Sequence, residues 1–327
     1  MAPVLVSLSL FLVLVAREST PGPRNAHGAA YDLRDSSLVL FGGAGTDRVL
    51  GDTWRWRFGA WHRLPASGPE PRTFPAMAYD AARGEVVLFG GNRVLFGDST
   101  HPPGMLGDTW TLRGDRWARA SGTGPSPRAE AAITYDPSRQ RIVLFGGYDL
   151  SPDGRPRRLG DTWEWDGTRW SRAADIGPPP RSGAAMAWHP DRGVVLFGGS
   201  GGPLSDTWRW DGDGWTRLEL APTPGRFNTA MACDPATGRL VRYGGWDGKR
   251  RVSDAWELRA GGWIMLPLKG PPARNHAVLV SAPDRGSLLL YGGHDGDAVF
   301  EDMWELKDGG WTAITKAPPA PRVLNGH

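Results

Sequence analysis

Residues 161–170 read Asp161-Thr162-Trp163-Glu164-Trp165-Asp166-Gly167-Thr168-Arg169-Trp170. Side chains alternate in character from Thr162 to Trp165, the period of a strand with one buried face. The Asp-Gly pair that follows predicts a tight hairpin turn, because both central residues of that turn need positive φ. A second strand is then expected around Trp170. Working outward, an apolar run such as Val86-Val87-Leu88-Phe89 ends at a Gly-Gly pair, and a short strand such as Ala76-Met77-Ala78-Tyr79 precedes it. Each unit therefore reads as four antiparallel strands.

The unit occurs six times. Gly-Gly pairs stand at 42–43, 90–91, 146–147, 198–199, 244–245 and 292–293. An Asp-x-Trp follows each one (Asp52/Trp54, Asp108/Trp110, Asp161/Trp163, Asp206/Trp208, Asp254/Trp256, Asp302/Trp304), and a second Trp comes seven residues later at 61, 117, 170, 215, 263 and 311. An arginine opens each unit: Arg24, Arg72, Arg128, Arg181, Arg226 and Arg274. The first Gly lies 18 residues after that arginine in five units and 17 after Arg181. Only the interval from the second Gly to the Asp varies, at 9, 17, 14, 7, 9 and 9 residues. A rigid frame with one variable loop per unit is the layout of a binding protein, since loops tolerate length change and strands do not. Four strands every 46 to 56 residues make the blade of a propeller.

Composition agrees. With 46 Gly, 29 Pro, 17 Trp and 22% charged residues among 327, the chain is too aromatic for disorder and too punctuated for a helical protein. A net charge of +3 gives no reason to expect nucleic-acid binding. Cys233 is the single cysteine, so no internal disulfide or cysteine-based metal site can form. It stands where other units carry Tyr31, Tyr79, Tyr135 and Trp188, a small apolar substitute in a strand. The apolar run Val4–Val15 is too short to cross a bilayer as a helix and suits the core of a signal peptide. It lacks a preceding basic segment, and Leu14 is a poor residue for a cleavage site. Residues 1–20 are expected to be a signal peptide and linker, which makes the protein secreted or periplasmic, without stable membrane insertion. The alternative is a cytoplasmic protein whose residues 10–20 form a strand.

The Gly-Gly pair after an apolar strand, with spaced aromatic residues behind it, resembles the Kelch repeat, over residues 23 to about 315. The resemblance implies an all-β, six-bladed Kelch propeller over residues 21–317. Residues 318–327 then begin a seventh repeat or close the ring against blade one. In Kelch propellers the first strand is innermost, which implies that the six arginines ring the channel mouth. The variable loops open on that face. Fourteen basic groups, counting the arginine ring, against eight loop carboxylates give an excess of six positive charges, and an anionic partner is expected. The same arginines also suit pairing with the repeated Asp. The Gly-Gly, Asp and Trp positions read as structural.

Residues beside the arginines differ between units. One place on lie Asn25, Thr73, Ala129, Ser182, Phe227 and Asn275; two places on lie Ala26, Phe74, Glu130, Gly183, Asn228 and His276. Asymmetric polar lining is what selective binding requires. The candidate site is therefore the arginine ring with Glu130, Asn228, Asn275 and His276. The expected function is non-enzymatic binding of an acidic peptide, protein or glycan by a monomer, with no cofactor and no metal. A Kelch-type sugar-acid mutarotase is the alternative, with Glu130, His27, His276 and Arg274 available for proton transfer. The copper radical oxidases that share this propeller need a Cys–Tyr crosslink and His ligands, which are missing here. No nucleotide-binding loop, serine-nucleophile elbow or zinc signature appears.

Overall fold

The computed structural model describes residues 20–315 and 320–321, apart from 66, 95–103, 121, 152–153 and 203. The signal-peptide expectation for residues 1–19 lies outside the described residues, as does the end of the tail. Six four-stranded antiparallel sheets follow one another along the chain. Blade one is Gly28–Asp32, Ser37–Ala44, Val49–Arg57 and Ala60–Arg63. The first strands of the others are Ala76–Asp80, Ala132–Asp136, Ala185–His189, Ala230–Cys233 and Val278–Ala282. Each first strand touches the first strands of its neighbours, and the sixth touches the first. The sheets thus close into a six-bladed propeller with these strands around the axis. The helical content among the described residues is one short 3-10 turn, Pro283–Arg285.

Both members of the Trp repeat build the frame. The second Trp of each blade meets, edge to face, the aromatic residue before the Gly-Gly of the blade behind it. The pairs are Phe41–Trp117, Phe89–Trp170, Phe145–Trp215, Phe197–Trp263, Tyr243–Trp311 and Tyr291–Trp61, with centroids 5.1–5.7 Å apart. Such a pair contributes about 0.5–1.5 kcal/mol beyond its area burial. Four of these indoles also donate to a threonine of the preceding blade: Trp117 to Thr53, Trp170 to Thr109, Trp215 to Thr162 and Trp263 to Thr207. The first Trp instead donates to the Asp two residues earlier, at 2.6–2.7 Å in all six blades.

One sequence expectation changes in detail. In the Asp166-Gly167 turn only Gly167 has positive φ. Trp165 pairs with Trp170, and Asp166 accepts the amides of Thr168 and Arg169. The result is a four-residue turn capped by an aspartate. The two-residue turn with both φ positive occurs in blades one and six, at Phe58-Gly59 and Asp308-Gly309. Within the tail, Ala320–Pro321 pairs with Ala298–Val299 in the loop of blade six. At the junction of blades six and one the N-terminal segment supplies the contacts. The Arg24 amide donates to Phe300, its carbonyl accepts from Gly293, and the Tyr291 hydroxyl donates to Gly22. The five other junctions use the same slot: Arg72, for example, donates to Leu50 and accepts from Gly43.

Candidate functional site

The six arginines stand at the start of the innermost strands, but none is more than 4% exposed. Five of them grip the Asp of their own blade with both guanidinium arms, at 2.6–3.1 Å. The same five donate to the carbonyl of the first Gly of the Gly-Gly pair. Backbone on one blade and side chain on the next, each arginine staples two blades together. Burial alone would raise the partner carboxyls. The arginine and indole hydrogen bonds outweigh it, holding Asp52, Asp108, Asp161 and Asp206 below the ordinary carboxylate range. Arg24, Arg72, Arg128, Arg181, Arg226 and Arg274 are thus placed in the scaffold rather than presented at the mouth. Adding their six Asp partners to the loop carboxylates brings the acids counted on that face to fourteen, equal to the bases. The excess of six positive charges disappears.

Blade five departs from the pattern. Arg226 holds Asp254 through one arm only, at 2.6 Å, and its other arm turns to Gly225. Nearby, Arg242 takes the strand register that is Leu40, Leu88, Leu144, Leu196 and Leu290 elsewhere. It is buried among Phe197, Trp256 and Trp263 at 4.3–5.1 Å and donates to Thr223. Burial, then the charge of Arg226, lowers its pKa to about 9.

Two residues past each arginine the chain turns through the left-handed region. Ala26, Phe74, Glu130, Gly183, Asn228 and His276 all have φ of 52–61°. Their backbones join around the axis: Phe74 donates to Ala26, Gly183 to Glu130, Asn228 to Gly183, and Ala26 to His276. Five of the six are not glycine, although an L-residue in that region costs about 1–2 kcal/mol. This belt narrows the channel, and four of its residues, Phe74, Glu130, Asn228 and His276, border the pocket at the mouth.

A second variable ring stands above the belt, one residue past each Gly-Gly: Ala44, Asn92, Tyr148, Ser200, Trp246 and His294. In five blades it pairs with the residue after the arginine, as in Phe227 with Trp246 and Asn275 with His294. Together the rings wall a pocket of about 440 Å³ on the side of blades three to six. Trp246, Phe227, Tyr148 and Phe74 supply apolar walls. Arg251 lies over the Trp246 ring at 4.8 Å and donates to Asn275. Arg158, at the end of the blade-three hairpin Tyr148–Leu150 and Pro156–Arg158, donates to Ser200.

The floor is a run of polar side chains in two hydrogen-bonded groups that meet at Glu130 and His276. Ser200 meets Ser182 at 2.9 Å, and Ser182 donates to Glu130 at 2.8 Å. Glu130 faces His276 Nε2 at 3.6 Å. Asn228 contacts that same nitrogen at 2.6 Å, and His276 Nδ1 reaches His294 Nε2 at 3.0 Å with the rings stacked. With the Asn228 amide donating, the proton of His276 sits on Nδ1, toward His294. Burial, then the Glu130 charge, pushes the Tyr148 phenol above its ordinary range. Of the residues expected at the site, Glu130, Asn228, Asn275 and His276 converge here. Trp246, His294, Tyr148 and Ser200 were missed, although the same test of variability, applied one residue past each Gly-Gly, points to them. Among the described residues no cluster of three or more His, Cys, Asp or Glu could hold a metal ion. No helix among them is long and apolar enough to cross a membrane.

The family model described as the KLHDC2/KLHL20/DRC7 Kelch-repeats domain matches residues 8–199. The chain belongs to the Kelch-repeat family. Among solved structures, the Kelch propeller resembles "Structure of YjhT" with a TM-score of 0.69 and 18% identity, over 90% of this chain and 98% of that one. At that identity the likeness bears on the fold alone.

Proposed function

We propose that this Kelch propeller is a binding module that takes an anionic group of its partner, on an acidic peptide, protein or glycan, in the pocket of blades three to six. The observation that carries this reading is Arg251 stacked on Trp246, with Arg158 also lining the pocket beside four aromatic residues. A guanidinium over an aromatic face presents a fork of donors to a carboxylate or sulfate, and the rings cover the partner's apolar part. Positive character in this reading is local to the pocket rather than spread over the face. Titration calorimetry with uronic acids, sulfated glycans and acidic peptides tests it. Binding by one class, weakened at least tenfold in both Arg251→Ala and Trp246→Ala, is the expected result. Equal affinity in both variants would sink it. An exported location belongs to the same reading and rests on the run Val4–Val15; amino-terminal sequencing of the mature protein tests it.

A second reading, proton-transfer catalysis on a sugar acid, is favoured by one feature. Glu130 and His276 face each other on the floor, each held by further hydrogen bonds. A carboxylate and an imidazole so placed can trade protons with a bound hydroxyl. Magnetization-transfer NMR of anomer exchange in uronic and ulosonic acids separates the readings. Acceleration that disappears in Glu130→Gln supports catalysis, and exchange at the uncatalysed rate excludes it.

A further inference from the structure

At the end of the channel away from the belt lies a cavity of about 490 Å³. Seven residues past each arginine its wall carries Tyr31, Tyr79, Tyr135 and Trp188 in blades one to four, then Cys233 and Ser281 in blades five and six. Two neighbouring blades thus leave space where the other four place a ring. Toward the belt the cavity ends on Met77, Met186, Met231 and Leu279, which also border the next space along the channel. Nine residues past the arginine, its rim is Leu33, Ala81 and four prolines. Leu33 is 45% exposed there.

Charge is kept out of this wall. Asp234 is the one charged residue among the described residues that border it, and its oxygens already accept from the Ala236 amide and the Thr237 hydroxyl. In the turns around the rim, Arg83, Arg139 and Arg285 are paired with Asp80, Asp136 and Glu305. Burial, then the charges of Asp234 and Asp191, push the Cys233 thiol up to about 11, so it is neutral as well. The contrast is with the pocket of blades three to six, with which this cavity shares no residue.

The volume falls within the range of small-molecule sites, about 300–1,000 Å³, and an apolar wall gives water few partners. We propose that this cavity is a binding site for an uncharged, mainly apolar small molecule. Apolar surface removed from water gains about 25 cal/mol per Å², and the methionines adapt to the shape they meet. A carboxylate or ammonium would give up its hydration without a free opposite charge to replace it.

Fluorescence titration of the full chain with the neutral dye Nile red tests the assignment, with 1-decanol, decanoate and decylammonium as competitors. Saturable binding of one dye per chain is expected, with decanol displacing it at about tenfold lower concentration than either ion. Cys233→Tyr, which copies three other blades, should weaken the dye by about tenfold, whereas Trp246→Ala, at the other mouth, leaves it unchanged. In the wild-type chain, bound dye should slow alkylation of Cys233 by N-ethylmaleimide in proportion to occupancy, a readout that stands even if Cys233→Tyr does not fold. The proposal is overturned by any of four results: no saturable binding, loss of binding in Trp246→Ala rather than in folded Cys233→Tyr, displacement by either ion as effective as by decanol, or an alkylation rate that bound dye does not change.

Discussion

The six arginines and the six residues two places after them lie almost side by side in every blade. One ring repeats without exception, and the other never uses the same residue twice. The first is buried, paired and shared between blades. The second holds one left-handed backbone conformation with five different side chains and a glycine. In a repeat protein the frame demands sameness because each junction must pack like the next. Sites where the backbone repeats and the side chain does not are free to serve a ligand.

Substitution tests that contrast directly. Arg128→Ala leaves Asp161 half-buried without its guanidinium partner and should cost about 3 kcal/mol in denaturant unfolding, the lower end of the usual cost of breaking a buried pair. A loss below 1 kcal/mol would mean that the ring is not the frame. The next effect depends on pH. His27 has a folded pKa of about 3 against 6.5 in the unfolded chain, so the unfolded state binds the extra proton and the contribution is complete above 6.5. It is lost as pH falls toward 3, at about 1.4 kcal/mol per unit. At pH 5 the wild-type chain should have lost about 2 kcal/mol that His27→Ala retains; parallel stability curves would refute this.

Blade five sharpens the comparison, since it breaks the frame's own rule. Arg242→Leu restores the residue that five blades use, removes a buried cation and frees Arg226 to grip Asp254 with both arms. Stability should rise by about 1–2 kcal/mol, read as a higher denaturant midpoint. A fall would show that the three aromatic faces around the guanidinium outweigh its burial. The smallest effect is expected in the variable ring. Ala26→Gly relieves a left-handed alanine and should shift stability by less than about 1 kcal/mol, upward.

Much of this was legible before any coordinates. Blade number, strand order and the structural part of the Trp repeat follow from spacings that hold across six copies. Glu130, Asn228, Asn275 and His276, which line one pocket, were singled out because they lie at positions that vary between blades. The arginines misled for the same reason that the fold was clear. Arginine pairs as well with a scaffold carboxylate as with a ligand, and only the distance to Asp52 and its equivalents, across 25 to 36 residues of chain, decides between them. Trp246 hid among 17 tryptophans, most of them in the frame. Spacing alone did not assign the slot at the junction of blades six and one, because Pro-Arg occurs both at 23–24 and at 321–322.

That slot has a kinetic consequence. Gly22, Arg24 and their partners Tyr291, Gly293 and Phe300 are separated by about 270 residues, so Gly22 and Arg24 are synthesised well before the residues they meet and complete their contacts only after blade six has been made. Blades can form one by one during synthesis, each open on one edge. The ring locks in a single late step of high contact order, and until then the inner strand of blade one stays without its second neighbour, the period in which this chain is most exposed to pairing with the wrong strand.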